Sequence, residues 1–178
     1  MRGILMTVCL AATCVRSEVT VQPDFQDDKI LGTWYSIGLA SDSNWFKAKK
    51  NIMEMCTTLI RPDPNGNLEL VSTYPKGDRC ERKTMNYIKT DHSGRFHYKS
   101  PRYGSDYDIR VVETNYDEFA LIHSVKSKAS DVSNVVFLYG RTKYLRPELI
   151  EKFQRFAKAQ GLTSDQILIL PHSEKCMT

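Results

Sequence analysis

The chain has 178 residues, of which 41% are hydrophobic and 26% charged, and its formal net charge is +4. This length fits one domain, and the composition is ordinary for a soluble globular protein. Because lysines and arginines alternate with acidic residues and form no block, the sequence predicts no nucleic-acid surface.

The first residues have the pattern of a secretory signal. One positive charge at Arg2 precedes a short apolar run from Ile4 to Val15, and small residues such as Ala12 and Ser17 offer cleavage sites. The run is too short to span a bilayer, and no later segment is apolar for long enough. The alternative is a buried segment at the start of the domain. We predict a signal peptide over residues 1–17, one domain over residues 18–178, and secretion through the endoplasmic reticulum and Golgi.

Short apolar and β-branched runs then follow one another, with turn residues between them. Before them, Phe25–Lys29 is predicted to form a short helical turn that closes one end of the fold. The runs predict eight strands and a polar loop at Lys126–Ser133; the strands are Leu31–Ala40, Met53–Arg61, Leu68–Tyr74, Lys83–Thr90, Arg95–Ser100, Tyr107–Glu113, Phe119–Val125 and Asn134–Tyr139. Evenly spaced short strands are typical of an up-and-down antiparallel β-barrel or a sandwich.

One connection and one helix complete the pattern. Asp42–Lys50 is predicted to be a loop, in which Trp45 and Phe46 either cover a pocket mouth or pack on a barrel rim. An amphipathic helix is predicted from Pro147 to just before Gly161, because apolar residues recur there at helical spacing. The outer wall of a barrel would bury its single apolar stripe.

The five cysteines carry the most information. Signal cleavage would remove Cys9 and Cys14 and bring the mature chain into an oxidising compartment. Cys80 and Cys176 lie in polar segments that can move to meet each other, whereas Cys56 lies in a predicted strand. Other pairings stay open from the sequence alone. An odd thiol in a secreted protein nevertheless requires an explanation.

Cys56 is either a small buried hydrophobe or a reactive thiol. Alternate residues of a strand share a face, so Cys56 would lie beside Thr58 and Ile60. Hydroxyl groups such as those of Thr58 and Ser72 could bond to a thiolate and lower its pKa from about 8.5. Composition alone favours the inert interpretation.

The sequence lacks the motifs of other catalytic and metal sites. The sequence contains neither Cys-x-x-Cys nor His-Glu-x-x-His. Its four histidines lie on separate segments, and His123, in a predicted strand, is a weak candidate only. The sequence therefore predicts no metal site.

Three motifs resemble the signature regions of the lipocalin family: Gly32-Thr-Trp34, Thr114-Asn-Tyr-Asp117, and Arg141 after Leu138-Tyr-Gly140. The resemblance covers the mature chain and is stronger still to the branch of lipocalins that isomerise prostaglandin H2, through stretches such as Met55-Cys56 and Lys175-Cys-Met-Thr178. It implies an all-β fold, an eight-stranded antiparallel up-and-down barrel with one C-terminal α-helix packed on its outside. It also favours a disulfide between Cys80 and Cys176.

The same resemblance implies a function and a site. The function is a glutathione-independent conversion of prostaglandin H2 to prostaglandin D2, together with transport of small lipophilic molecules such as retinoids and bile pigments, by a monomer without a cofactor. Cys56 is the implied nucleophile. The hydroxyl groups implied to support it belong to Ser36, Thr58 and Ser72. The implied cavity-lining residues are Trp45, Met55, Tyr74, Lys83, Met85 and Tyr139.

One pair of residues departs from that branch. Arg102 and Tyr103 replace a His-Trp pair, near the place where the substrate enters. Two alternatives therefore stay open. The first is a carrier of lipophilic ligands without turnover. The second is a secreted protein-binding module that uses the loops at the barrel mouth, although no loop carries a recognition motif.

Overall fold

The computed structural model describes residues 18–177, and its strands form one sheet that closes on itself. The strands are β1 Gly32–Ser41, β2 Thr57–Pro62, β3 Leu68–Lys76, β4 Arg79–Lys89, β5 Arg95–Lys99, β6 Asp106–Thr114, β7 Phe119–Lys128, β8 Asp131–Gly140 and β9 Ile167–Ile169. The helices are α1 Asn44–Lys49 and α2 Pro147–Ala159, with short 3-10 helices at Lys50–Ile52 and Ser164–Gln166. The predicted signal peptide lies outside the described residues.

The sheet closes because β1 pairs with both β2 and β8, while the other strands pair with their neighbours along the chain. The predicted eight-stranded antiparallel barrel with an external C-terminal helix is confirmed. A ninth strand adds to β1 beyond the end of β2, with Gly38 opposite Ile169. The mouth of the barrel is the end that carries α1 and the β3–β4, β5–β6 and β7–β8 turns.

The predicted loop between β1 and β2 contains a helix. The Ser43 hydroxyl accepts the backbone N–H of Phe46 at 3.2 Å and caps α1. Phe46 is fully buried and packs in one cluster with Leu39 and Val135, so it fills the mouth of the barrel. Trp45, by contrast, is 55% exposed. The two neighbouring aromatic residues therefore have different roles.

Several strand boundaries differ from the predicted ones. β2 begins at Thr57, so Cys56 lies just before the strand and not within it. The predicted loop Lys126–Ser133 is a tight hairpin, because β7 and β8 continue until Lys128 pairs with Asp131. Polar residues dominate this hairpin because its tip projects into solvent.

Alternation along the strands produces an inner and an outer apolar layer. Inside the barrel, Phe25, Trp34 and Phe96 belong to the cluster at the closed end. Outside it, α2 covers β1, β7 and β8, and the ring of Phe153 lies so close to Gly38 that an added Cβ would be 2.7 Å from it. In residues 18–177 no helix is long and apolar enough to span a membrane.

The three lipocalin-like motifs meet at the closed end. The guanidinium of Arg141 lies 3.8 Å from the centre of the Trp34 ring. It also donates hydrogen bonds to the carbonyls of Tyr116, Thr33 and Lys29 at 2.8, 3.2 and 3.0 Å. One side chain thus joins the N-terminal segment, β1, the β6–β7 turn and the end of β8.

The expected disulfide between Cys80 and Cys176 is present, with a Cα–Cα distance of 5.5 Å. Cys80 lies in β4, opposite Pro75. The neighbouring Lys175 donates to the carbonyl of Gly77. Both contacts hold the C-terminal segment against the β3–β4 hairpin at the mouth.

Candidate functional site

The interior of the barrel has an apolar floor. Its lining includes Phe25, Trp34, Leu68, Tyr87, Phe96 and Ile109. The void that these residues enclose measures only about 40 Å³. Small-molecule pockets usually measure about 300–1,000 Å³. A lipid-sized ligand therefore has to displace side chains of the barrel interior as it enters.

A polar band lies above the floor, formed by Ser36, Cys56, Thr58, Ser72 and Tyr139. The strand register places these residues together, since Ser36 pairs with Tyr139 and Thr58 pairs with Ser72. Residues opposite each other in an antiparallel pair share one face of the sheet. Thr58 and Tyr139 also border the void of the apolar floor. The band is therefore in reach of a ligand that occupies the barrel.

Cys56 is a free, half-buried thiol at the edge of this band. Its Sγ lies 3.0 Å from the Oγ of Ser36. The same Oγ accepts the backbone N–H of Cys56 at 2.9 Å, and the N–H of Ser36 donates to the Cys56 carbonyl at 2.9 Å. These bonds hold Cys56 against β1, although it precedes β2.

The predicted hydroxyl groups are brought together, but in two pairs. Within residues 18–177, the Ser36 hydroxyl is the only one that contacts the sulfur of Cys56. The hydroxyls of Thr58 and Ser72 lie 2.8 Å from each other. Thr58 and Ser72 therefore stabilise each other and not the thiol.

Burial has a larger effect on the pKa of the Cys56 thiol than any other interaction. It raises the pKa of the thiol, and the hydrogen bond with Ser36 opposes this rise only in part. Burial likewise raises the pKa of the Tyr139 phenol well above its ordinary value, and the hydrogen bond with Thr58 acts in the opposite direction. Both groups are therefore protonated near neutral pH, and the polar band is uncharged.

Four of the predicted cavity-lining residues lie on the inner face of the sheet. Tyr139 borders the void, and Met85 packs against the inner apolar cluster. Lys83 and Tyr74 lie closer to the mouth. The ammonium of Lys83 is 6.0 Å from the centre of the Tyr98 ring, and the hydroxyl of Tyr74 donates to Glu81 at 3.3 Å.

The other two predicted cavity-lining residues lie elsewhere. Met55 packs in the cluster between the barrel wall and α2, and Trp45 is exposed on α1. Sequence reasoning missed Lys126, which it assigned to a loop, whereas Phe46 was expected either to cover the pocket mouth or to pack on the rim. Continued alternation through Ser124 and Lys126 was the signal that places Lys126 on the inner face of β7.

The remaining candidates are not part of this band. His123 lies on the outer face of β7, where its ring meets Phe156 of α2 and its Nε2 is 3.1 Å from Asn134 Oδ1. Arg102 stacks on Tyr103 at 5.3 Å in the β5–β6 turn at the mouth. Within the described part of the chain, no three histidine, cysteine or carboxylate side chains are placed to hold a metal ion.

A closed barrel with an external helix, an apolar floor and a polar band defines a binding protein for small lipophilic molecules. Residues 31–174 match the lipocalin / cytosolic fatty-acid binding protein family, and the chain belongs to that family.

Its relatives include a protein named lipocalin from Rhinella marina, which is 59% identical over all of this chain and 99% of its own length. Proteins named prostaglandin-H2 D-isomerase are also similar. The one from Mus musculus is 46% identical over 89% of this chain and 84% of its own, and the one from Canis lupus familiaris is 42% identical over 98% and 93%. Among solved structures, the siderocalin Ex-FABP has a TM-score of 0.71 at 24% identity, over 83% of this chain and 97% of its own. This last likeness shows a shared fold.

Proposed function

We propose that the protein is a secreted, monomeric prostaglandin-H2 D-isomerase that uses Cys56 as its nucleophile. It also carries small lipophilic molecules such as retinoids and bile pigments. The observation that supports this function best is the free thiol of Cys56, which is held 3.0 Å from the Ser36 hydroxyl beside the apolar interior. Relatives named for this activity support it at 46% and 42% identity. The Cys80–Cys176 disulfide fits an oxidising compartment.

The first chemical step breaks the O–O bond of the substrate. The Cys56 thiol loses its proton, and the thiolate attacks the endoperoxide oxygen that is attached to C11. An S–O bond forms as the O–O bond breaks, and the electron pair of that bond passes to the oxygen on C9. This oxygen takes up a proton and becomes a hydroxyl group.

The second step forms the ketone. Removal of the hydrogen on C11 as a proton turns the C11–O bond into a carbonyl, and the electron pair of the S–O bond returns to sulfur. The thiolate is then reprotonated, and the product has the same atoms as the substrate. The reaction therefore requires no external oxidant, reductant or cofactor.

Ser36 changes its hydrogen bond during this cycle. A hydroxyl has a single proton, so beside the neutral thiol it can donate to the Cys56 carbonyl, 3.2 Å away, and accept the S–H. Beside the thiolate it turns and donates to sulfur, which stabilises the negative charge. Ser36 is therefore the residue that makes ionisation of Cys56 possible inside an apolar barrel.

A carrier without turnover is the second candidate function. It is favoured by the raised pKa of the Cys56 thiol, which keeps the nucleophile protonated at rest.

Incubation with prostaglandin H2 tests the proposal. We expect the wild-type protein to produce prostaglandin D2 above the spontaneous background, and Cys56→Ala to give the background alone. Retinoid binding, followed by quenching of tryptophan fluorescence, serves as the control that the variant is folded. Equal product from both proteins would refute the isomerase, and retained retinoid binding would then leave the carrier.

A further inference from the structure

Three connections at the barrel mouth present exposed apolar side chains. They are α1, the β5–β6 turn and the β7–β8 hairpin, which we call the rim of the mouth. Trp45 in α1 is 55% exposed, Tyr103 in the β5–β6 turn 52%, and Val132 beside the tip of the β7–β8 hairpin 62%. We call these three residues the rim tips. Single exposed apolar residues are common on proteins, so the function of the rim tips has to be inferred from the charges beside them.

Cations accompany the rim tips on the same three connections. We call them the rim cations, and they are Lys47 and Lys49 in α1, Arg102 in the β5–β6 turn and Lys128 at the tip of the β7–β8 hairpin. All four are exposed. Within residues 18–177, no carboxylate lies within 4.0 Å of the charged nitrogens of a rim cation. The rim cations are therefore available to an anionic partner.

The turns at the closed end carry the opposite charge. The N-terminal segment and the β2–β3, β4–β5 and β6–β7 turns contain mainly acidic residues, among them Asp27, Asp28, Asp63, Asp91, Asp117 and Glu118. At the mouth, where Asp78 and Asp131 also lie, the cations outnumber the carboxylates. A negative surface attracts the basic end of such a molecule and repels its acidic end. The charge distribution therefore turns the mouth toward an anionic partner.

The arrangement of the rim indicates which anionic partner fits. A protein partner usually buries one contiguous patch of about 800 Å² on each side, whereas the rim tips lie on three separate connections around an opening. Tryptophan and tyrosine are enriched at the boundary between lipid headgroups and hydrocarbon, because each has an apolar ring and a polar group. Lysine and arginine are attracted to the surface of an anionic leaflet. Separate apolar tips with cations beside them therefore match a bilayer better than a protein.

We propose that the rim of the mouth is a docking surface for bilayers of anionic phospholipids. The rim tips enter the boundary between headgroups and hydrocarbon, and the rim cations contact the acidic groups of the lipids. The mouth then opens directly onto the membrane, so a lipophilic ligand passes between bilayer and barrel without crossing water. This docking surface lies outside the barrel interior and does not depend on the chemistry of Cys56.

Vesicles of two compositions test the docking surface. Purified protein is mixed with vesicles of phosphatidylcholine alone or of phosphatidylcholine with phosphatidylserine, and the bound fraction is measured by sedimentation. We expect binding to the vesicles that contain phosphatidylserine, much weaker binding to the others, and less binding at high salt, because salt screens exposed charges. The chain has two tryptophans, and Trp34 is fully buried. A shift of the tryptophan emission to shorter wavelength on binding therefore reports on Trp45.

Variants of the rim should bind these vesicles more weakly. Trp45→Ser should weaken binding about 5- to 50-fold, because an aromatic ring no longer leaves water. Lys49→Gln and Lys128→Gln should each weaken it about 3- to 10-fold, because each removes one cation from the anionic surface. Ile88→Ser and Lys29→Gln make matched changes at exposed positions near the closed end. Both should bind within about twofold of the wild type, because neither side chain reaches the bilayer.

Three results would overturn the docking surface. One is sedimentation with neither kind of vesicle, and another is a folded Trp45→Ser variant that binds as tightly as the wild type. The third is an equal loss of affinity in Lys29→Gln and Lys49→Gln, because net charge and not the rim would then drive binding. Thermal unfolding of each variant shows that it is folded. No prostaglandin enters these assays, so they and the isomerase assay can fail independently.

Discussion

Replacing Ser36 with alanine should make Cys56 much less reactive. Ser36 contributes the hydroxyl that lies 3.0 Å from the sulfur, and burial already raises the pKa of the thiol. A hydrogen bond to a charged group contributes about 1.5–3 kcal/mol. Since about 1.4 kcal/mol corresponds to a factor of ten, loss of this bond should lower the thiolate population about 10- to 100-fold.

Alkylation by iodoacetamide measures this population, because the thiolate is the reacting species. The rate is followed by mass spectrometry between pH 7 and pH 9. For the wild type it should rise about tenfold per pH unit and continue to rise beyond the range of an ordinary thiol, because burial raises the pKa of Cys56. Ser36→Ala should be about 10- to 100-fold slower at each pH.

Ser72→Ala is the matched control, since its hydroxyl lies 2.8 Å from Thr58 and does not contact the sulfur. It should react within about twofold of the wild type, because no charged hydrogen bond is lost. Ser36 also accepts the backbone N–H of Cys56, so thermal unfolding of both variants has to be measured alongside. A folded Ser36→Ala variant that reacts as fast as the wild type would refute this account of the thiol.

Three further predictions concern stability. The double variant Cys80→Ser/Cys176→Ser should lose about 4–5 kcal/mol of unfolding free energy, because the bond joins residues 96 positions apart; an unchanged midpoint of urea unfolding would contradict this. Gly38→Ala should cost about 1–3 kcal/mol in thermal unfolding, because its Cβ would lie 2.7 Å from the ring of Phe153. Arg141→Lys should cost about 2–4 kcal/mol, because lysine cannot reproduce the stacked guanidinium with its three carbonyl partners. Equal melting temperatures would refute the last two.

Much of the inner surface could be predicted from alternation along the strands. Thr58 and Ser72 were expected near one another on neighbouring strands, and the register places them directly opposite. The prediction that the hydroxyl groups of both residues also support Cys56 could not be made from alternation. A shift of about one ångström decides whether a hydroxyl group reaches the sulfur. The alternation of side chains along a strand shows only which face a residue lies on.

The segment before β2 could not be predicted for a related reason. Cys56 was placed within a strand because Met53–Arg61 is rich in apolar and β-branched residues. Hydrogen bonds to Ser36, and one from the N–H of Met55 to the carbonyl of Pro171, hold this segment instead. Both partners are distant in sequence, so local propensity gives no sign of them.

A bulge in β1 allows one strand to serve both the site and the helix. The register of β1 against β8 shifts between Ser36 and Gly38. In a regular strand these two residues would share a face, yet Ser36 contacts Cys56 on the inside while Gly38 lies under Phe153 on the outside. The extra residue at a bulge reverses the alternation from that point onward. If β1 ran on without the bulge, Ser36 and Gly38 would lie on one face, and either the contact with Cys56 or the contact with α2 would be turned to the wrong side. The position of the candidate nucleophile and the docking of α2 are thus consequences of the same irregularity.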